Sequence, residues 1–523
     1  MCKSVPGASD VNAWEQAYRV PKALAPRRRL AFRQRSLQSS LSRLGSMKRY
    51  HVETFGCQMN VHDSRRIEEV LERSGYGPTY DREEADLVII NTCSVREKAE
   101  HKLMSLLGKL RAFKEAKPDG ALVVAGCVAQ QEGERLLRKA RHVDLVIGPD
   151  NIPDLPGLLR EIESGAPPIA KTVFDLDDPR FLVASPRADR PEVSSFVTTM
   201  KGCDERCTFC IVPTTRGEER YRPAEQILDE IERLVDGGVR EITLLGQTVN
   251  SWYEPLHQDA NKPRSKTAPS RSEFADLLYR IHERAPGLLR LRYTSPHPRH
   301  LTPELIRAHA ELPILARHLH LPVQSGSNRV LRRMSRRYTR EQYLSRVGAL
   351  KEAVPGLTLS TDIIVGFPGE TDEDFEETLS VVRAAGFVSL FGFKYSERPG
   401  TPALALGDDV PEQVKDERLA RLFELAHEQQ TAHLASLVET EQSVLVEGES
   451  KSQGMFSGRT ERNEIVHLAA PEGIDPSGHL VRVKIVEAFK HSLRGELLDE
   501  PLPSMRRERR PRGRSSLPIV GIA

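Results

Sequence analysis

Four times along this chain, a short run of apolar, β-branched residues gives way to a cysteine. Tyr50–Phe55 leads to Cys57, Leu87–Asn91 to Cys93, Ala121–Ala125 to Cys127 and Ser195–Met200 to Cys203. Amphipathic helical stretches separate the first of these runs: Ser64–Arg73, Ser94–Phe113 and Gln130–Lys139, with Leu145–Ile147 as a further strand. Strands that alternate with helices are predicted to run parallel, because each helical crossover returns the chain to the same end of the sheet. Their C-terminal ends then share one edge, and the loops after them meet there however far apart they lie in sequence. The pattern therefore predicts that Cys57, Cys93 and Cys127 converge. The competing reading is three buried cysteines acting as small hydrophobes. Against it, each falls at the same point of its unit, beside Gly56, Asn91, Thr92 or Gly126 rather than core residues.

The alternation resumes and lasts longer over residues 194–430. Strand runs Ser195–Met200, Glu241–Leu245, Leu289–Tyr293, His318–Leu321, Leu359–Val365 and Val388–Phe393 predict an open or partial (βα)6 barrel. Active sites of such barrels lie at the C-terminal ends of the strands. Cys203, Cys207 and Cys210 follow the first strand there, in a CxxxCxxC loop. Three thiolates in one short loop can hold three irons of a four-iron cube and leave the fourth iron open to a substrate. A zinc knuckle would lack its fourth ligand, since no His or Cys occurs in the next 40 residues. Polar, glycine-bearing segments end other barrel strands: Gly246-Gln247, Gln324-Ser325-Gly326-Ser327, and Asp362 through Gly366 to Glu370. Glycine at such places lets backbone approach a ligand closely.

Residues 440–500 turn all-β, with strands Ser443–Glu447, Glu464–Leu468 and Leu480–Ala488 between Gly and Pro, as in a small OB-like barrel. The expected organisation is an extension (1–47) without pattern and disordered, a parallel-sheet domain (48–165), and a Pro- and Asp-rich linker (166–193). The barrel (194–439) follows, with a polar insertion at 254–272 and a closing helix Ala420–Glu439, then the small β-barrel (440–500) and a basic tail (501–523). The extension reads either as a transit-type segment or as a mis-assigned start, Met47 directly preceding the first strand. The chain has seven cysteines; two groups of three leave only Cys2 over. Threes suit metal clusters better than disulfides and imply a reducing, cytoplasmic compartment. No apolar run approaches the ~20 residues that span a bilayer, so no membrane partner is expected, and a monomer is. The net charge of +2 implies no nucleic-acid partner by itself.

The Cys203–Cys210 loop, with Phe209 before its last cysteine, resembles the fingerprint of the radical-SAM superfamily. The resemblance implies that S-adenosylmethionine chelates the open iron and that one electron cleaves it to a 5′-deoxyadenosyl radical. Gly246, Gln247, Gln324, Ser325, Asp362, Gly366 and Glu370 resemble that superfamily's cofactor-binding elements. Over residues 48–500 the chain resembles the methylthiotransferases: an N-terminal three-cysteine domain, a radical-SAM barrel and a C-terminal TRAM domain. That implies a second 4Fe–4S cluster on Cys57, Cys93 and Cys127, whose open iron carries or accepts the sulfur. One S-adenosylmethionine methylates that sulfur and a second generates the radical.

Phe-Gly-Cys57-Gln-Met-Asn, Asn-Thr-Cys93-Ser-Val-Arg-Glu, Cys210-Ile-Val-Pro-Thr-Thr-Arg216-Gly, Thr294-Ser-Pro-His297-Pro and His320-Leu-Pro-Val-Gln324-Ser-Gly-Ser are similar to the MiaB type. The ribosomal-protein branch usually has Gly-Cys-Pro-Lys-Asn and Asn-Thr-Cys-Gly in the first two places. The threonylcarbamoyladenosine branch usually has Gly-Cys-Lys-Val-Asn and Asn-Thr-Cys-Ala-Val. Thr215 departs from the MiaB pattern, which more often has Tyr there. The resemblance implies methylthiolation at C2 of N6-isopentenyladenosine beside the anticodon of tRNA, with a one-electron donor of flavodoxin or ferredoxin type and a sulfur donor as further partners. An aromatic C2–H has no acidic proton, so a radical route suits it, and a base in a single-stranded loop can be splayed into a pocket. Arg216, Arg220 and Arg222 read as phosphate contacts or as a salt-bridged loop. The 440–500 module, with Lys451, Arg459, Arg462, Arg482, Lys484, Lys490 and Arg494, reads as a tRNA grip or a structural cap. A methylthiotransferase acting on a ribosomal protein and a non-catalytic iron–sulfur RNA-binding protein are the alternatives.

Overall fold

A computed structural model of the chain describes residues 47–94, 97–174, 181–183, 192–255, 272–450 and 454–500. The expected extension up to residue 46, half of the 166–193 linker, most of the 254–272 insertion, Lys451 and the basic tail lie outside the described residues.

Among the described residues, the N-terminal part forms a six-stranded parallel sheet. Its strands are β1 (Arg49–Phe55), β2 (Gly77–Pro78), β3 (Leu87–Thr92), β4 (Ala121–Gly126), β5 (Leu145–Ile147) and β6 (Ile169–Lys171), in spatial order β2-β1-β3-β4-β5-β6. β3 and β4 are buried along their whole length, because helices cover both faces, and so they read as unbroken apolar runs. Leu87 and Ile89 face a core shared with Ile67, Leu71, Leu155 and Leu159. Val88 and Ile90, one residue out of phase, face a second core with Leu103, Leu107 and Leu110. The helix after β1 begins at Gln58 rather than Ser64; its first two turns bury Asn60, His62 and Asp63, polar groups that hide the apolar periodicity there. The stretch Gln130–Lys139 is two helices, Cys127–Glu132 and Glu134–Lys139, parted at Gly133 with φ +52°. β6 falls inside the expected linker.

The larger part is the expected partial barrel, built of two parallel half-sheets. One holds β7 (Ser194–Thr198), β10 (Glu241–Leu245) and β11 (Arg290–Tyr293), in order β11-β10-β7. The other holds β12 (His318–His320), β13 (Thr358–Val365) and β14 (Ser389–Lys394). A bridge from Leu291 to Leu315 joins the halves. The first barrel strand stops at Thr198, and a short antiparallel ribbon of β8 (Met200–Lys201) and β9 (Arg220–Tyr221) clasps the base of the cysteine loop. The closing helix runs Glu412–Ser436 and starts well before Ala420. Its first turns carry Lys415 and Arg418, buried only because Asp408 and Glu370 pair with them, so the apolar periodicity is broken there. No helix among the described residues is long and apolar enough to cross a membrane.

The C-terminal part is a closed barrel of β15 (Glu441–Glu449), β16 (Met455–Thr460), β17 (Ile465–Ala469), β18 (Leu480–Ala488) and β19 (Leu493–Leu497), in order β15-β16-β17-β19-β18. β16 and β19 escape a reading by apolar pattern because each carries an interior glycine. A Cβ on Gly458 would strike the Leu445 carbonyl, and one on Gly495 would strike Val483; such crowded corners need glycine.

The β16–β17 turn closes the barrel at the end opposite the cysteine loop. Arg290 donates to the Arg459 carbonyl (3.0 Å), Arg292 to that of Thr460 (3.2 Å), and the Thr358 hydroxyl to that of Arg462 (3.2 Å). Glu241 neutralises both arginines at 3.2 Å. Burial pushes the Glu241 carboxyl up, but Arg292 and Arg290 outweigh it and hold it below the usual range. Removing one partner of a buried ion pair costs about 3–5 kcal/mol. Glu241→Ala is therefore expected to destabilise the protein by about that much at pH 7 in denaturant melts. A depressed carboxylate stabilises above its unfolded pKa and loses that effect as pH falls through its folded value, so the gap between wild type and variant should narrow below about pH 4. A pH-independent gap would contradict the ion-pair account.

Candidate functional site

The register of the N-terminal sheet sets its cysteines side by side. Thr54 pairs with Asn91 and Asn91 with Ala125; one step on, Phe55 pairs with Thr92 and Thr92 with Gly126. Cys93 and Cys127 are each the next residue. Strands lie about 4.8 Å apart, so these two thiols leave the same edge as neighbours. Cys57 comes one residue later, after Gly56, whose φ is +131°. A Cβ on Gly56 would collide with Cys93, so only glycine lets this loop cross over it. Asn91 locks the loops together: it donates to the Asn60 carbonyl (2.8 Å) and the Ser64 hydroxyl (2.9 Å) and accepts from the Asn60 amide (3.1 Å).

Cys57 caps the helix Gln58–Arg73, whose N-terminal dipole favours a thiolate. Its hydrogen bond with Cys93 draws its pKa well below that of an ordinary thiol against the effect of burial, and Arg216 adds to the pull. Burial instead pushes Cys127 up, although Arg216 offsets part of this by donating from Nε to its Sγ at 3.2 Å. The buried hydroxyls of Thr92 and Ser94, on either side of Cys93, have no partner among the described residues. Three convergent thiols suit a sulfide-bridged iron cluster, and the cation, the helix N-terminus and the two idle donors around them suit its negative charge.

The barrel loop is held from several sides. Cys203 N–H donates to the Gly217 carbonyl (3.1 Å), Thr208 N–H to that of Met334 (3.1 Å) and Cys210 N–H to that of Cys207 (3.1 Å). The Thr248 hydroxyl lies 3.0 Å from Cys203 Sγ, and Arg336 Nη1 donates to Cys207 Sγ at 3.3 Å. Burial, and then the neighbouring cysteines, push Cys203 and Cys210 up to about 12. Inside the loop, Glu205 accepts from Arg299 (3.4 Å) and pairs with His300 at 3.0 Å. Phe209 meets Phe367 edge-on, with ring centroids 6.5 Å apart.

The other residues expected to hold S-adenosylmethionine divide into two sets. Both amide atoms of Gln247 are buried without a partner among the described residues; beyond the expected set, so is Nε2 of His297, whose Nδ1 accepts from Arg299 N–H. These groups are available to a ligand. Asp362 lies half-buried beside His320 at 3.4 Å. Gln324 holds φ +72° and bonds through its backbone to Asp362 and Ile364. By contrast, the Ser325 hydroxyl accepts from Ser327 N–H and meets Thr378. Gly246 makes room for Met200, and Gly366 for Lys415. Glu370 accepts from Phe367 N–H and from Arg418 and closes its own turn.

The arginines after the loop make no exposed phosphate site, and the salt-bridged reading holds. Arg216 pairs with Asp63 at 2.6 Å, Arg220 with Asp150 at 2.5 Å, and Arg222, fully buried, with Glu230. In the small barrel, Arg459, Arg482, Lys484 and Arg494 pair with Glu447, Asp499, Glu439 and Glu487. Thr248, Glu205, Arg336 and the Arg216 contact with Cys127 escape a reading by spacing, since their partners are remote in sequence. Among the six described cysteines of iron-free protein at pH 7, iodoacetamide should label Cys57 first and Cys203 and Cys210 last, because the thiolate is the nucleophile. Equal labelling rates by peptide mass spectrometry would contradict these environments.

Family models match three stretches: the uncharacterized protein family UPF0004 over residues 49–148, the radical SAM superfamily over 197–382 and the TRAM domain over 435–498. A protein of Sorangium cellulosum named tRNA-2-methylthio-N(6)-dimethylallyladenosine synthase is 59% identical over 91% of this chain and 99% of its own length. Proteins of the same name from Acidithiobacillus ferrooxidans and Methylococcus capsulatus are 46% and 44% identical over 86% of this chain, and 97% and 96% of their own lengths. The chain belongs to the tRNA-2-methylthio-N(6)-dimethylallyladenosine synthase family, within the radical-SAM superfamily.

Proposed function

We propose that this protein is a radical-SAM methylthiotransferase that adds a methylthio group to C2 of N6-isopentenyladenosine beside the anticodon of tRNA. The observation that carries this reading is the pairing of two three-cysteine sites, one on the N-terminal sheet edge and one on the first barrel loop, linked through Arg216. One site would serve radical generation; the second is what insertion of sulfur requires. Cys203, Cys207 and Cys210 would hold one 4Fe–4S cluster, and Cys57, Cys93 and Cys127 the other. When bound, the clusters and S-adenosylmethionine supply the electron, the carbon-centred radical, the sulfur site and the methyl group.

The protein's own residues bind and orient. Thr248 and Arg336 steady two barrel sulfurs. Gln247 and His297 offer buried hydrogen-bonding groups to S-adenosylmethionine. His320, the last residue of β12, and Asp362, within β13, are half-buried and would meet cofactor or base. The working units are residues 48–165, 194–439 and 440–500, acting as a monomer in the cytoplasm with the tRNA anticodon loop, a flavodoxin- or ferredoxin-type reductant and a sulfur donor as partners.

Mass spectrometry of tRNA nucleosides from cells with and without the gene tests the substrate. The 2-methylthio derivative should vanish on deletion and N6-isopentenyladenosine should accumulate; an unchanged nucleoside profile would contradict the proposal. The two sites are tested by iron content and product. Anaerobically reconstituted protein should bind about eight irons, and the Cys203, Cys207, Cys210 triple Ala variant about four. The Cys57, Cys93, Cys127 triple Ala variant should still release 5′-deoxyadenosine yet form no methylthio product. Wild-type sulfur insertion by that variant would reduce those cysteines to core residues.

A further inference from the structure

Arg216 ends the short helix Val212–Arg216, directly downstream of the barrel cysteine loop. Its guanidinium is 7% exposed. Nε donates to Cys127 Sγ at 3.2 Å, and Nη2 donates to Asp63 at 2.6 Å, on the helix that Cys57 caps. One side chain from the barrel thus contacts two of the three cysteine-bearing segments of the N-terminal sheet. The adjoining backbone faces the other way: the Gly217 carbonyl accepts the N–H of Cys203 at 3.1 Å. The Arg216 carbonyl accepts from Arg220 at 3.0 Å, and Asp150 of the N-terminal part pins Arg220 in turn. Gly217 leaves the segment at φ +76°. Two consecutive residues therefore touch a cysteine of each group.

We infer that Arg216 is a positioning residue that couples the two cysteine centres: it raises the reduction potential of the N-terminal cluster and fixes that cluster's place against the barrel loop. The inference rests on the reading that Cys57, Cys93 and Cys127 hold a cluster. A buried cation beside the ligand sulfurs stabilises the more negative, reduced state, and an N–H donated to sulfur acts in the same direction. Asp63 offsets part of the charge and fixes the direction of the fork, a geometry that lysine cannot reproduce. The relative potentials of two neighbouring centres decide which one takes an electron delivered to the protein, so this residue bears on how closely radical generation stays tied to sulfur insertion.

The test uses full-length protein carrying Cys203, Cys207 and Cys210 to Ala, so that only the N-terminal centre is present. Iron content, thermal melting and EPR-monitored redox titration are compared with those of the same protein carrying Arg216→Gln or Arg216→Lys. The expected result is about four irons in all three, a potential displaced to more negative values in Arg216→Gln, and partial recovery in Arg216→Lys. In the enzyme with both centres, Arg216→Gln should also raise 5′-deoxyadenosine released per methylthio product severalfold. Unchanged potential with iron retained overturns the coupling role while leaving the two-cluster reading intact. Absence of iron in the parent triple variant overturns that reading, and this inference with it. If Arg216→Gln loses its iron or unfolds, Arg216→Lys decides: a negative shift upholds the inference and an unshifted potential overturns it.

Discussion

The in-register pairing of β1, β3 and β4 is the constraint on which the site depends. Parallel strands held residue against residue, Thr54 to Asn91 to Ala125, deliver the chain to one edge at one height three times over. Slipping one strand by a single residue would exchange the two faces of the sheet, driving Leu87 and Ile89 into the core now filled by Val88 and Ile90. The two cores therefore enforce the register, and the register places the cysteines. Gly56 and Asn91 complete the arrangement, the one by giving up its side chain beside Cys93 and the other by tying its neighbours' loops together.

Around this edge the protein buries charge where a stability-optimised core would not. Arg216 with Asp63, Arg220 with Asp150, and Arg222 with Glu230 lie in a continuous stretch after the barrel cysteines, and the first two cross to the N-terminal part. Buried pairs contribute little net stability, since desolvation consumes most of the Coulombic gain. Their effect is orientation: breaking any one leaves an uncompensated charge, so displaced dockings of the two parts are penalised. The same logic operates at the far end of the barrel, where Glu241 holds Arg290 and Arg292 onto the backbone of the β16–β17 turn. The small barrel is thereby a fixed part of the architecture. Much of its positive charge is neutralised by its own acids, so charge density there is a poorer argument for RNA binding than the sequence suggests.

The elements legible in the sequence are those whose physics is local. β3 and β4 are unbroken apolar runs because both faces are covered, and the six cysteines stand out because four follow a strand at a turn and the other two share the loop of the last. β2 is two residues long, and β6, Ile-Ala-Lys and only half-buried, lacks the all-apolar run that marks the equally short β5. β16 and β19 are interrupted by Gly458 and Gly495, and the start of the helix Glu412–Ser436 by ion-paired Lys415 and Arg418. In the site, Arg216 is visible as an arginine but not as a partner of Cys127, and the chain order offers no hint that Thr248 reaches Cys203 or Arg336 reaches Cys207. Glycines 246 and 366 show a different limit. Each lies at a strand end where a ligand could approach, yet the atoms that occupy the missing Cβ volume belong to Met200 and Lys415. A glycine in a sequence reports a close approach without saying by what.

Two groups of three cysteines, brought together from opposite sides of one interface, are proposed each to hold an iron cluster. Anomalous diffraction at the iron edge from crystals of anaerobically reconstituted, full-length protein tests this assignment directly. Two separate iron sites are expected, one bounded by Cys57, Cys93 and Cys127 and the other by Cys203, Cys207 and Cys210, with the Arg216 side chain directed at the first. A single iron site at the barrel loop, with Cys57, Cys93 and Cys127 unligated in protein that still methylthiolates tRNA, would contradict it.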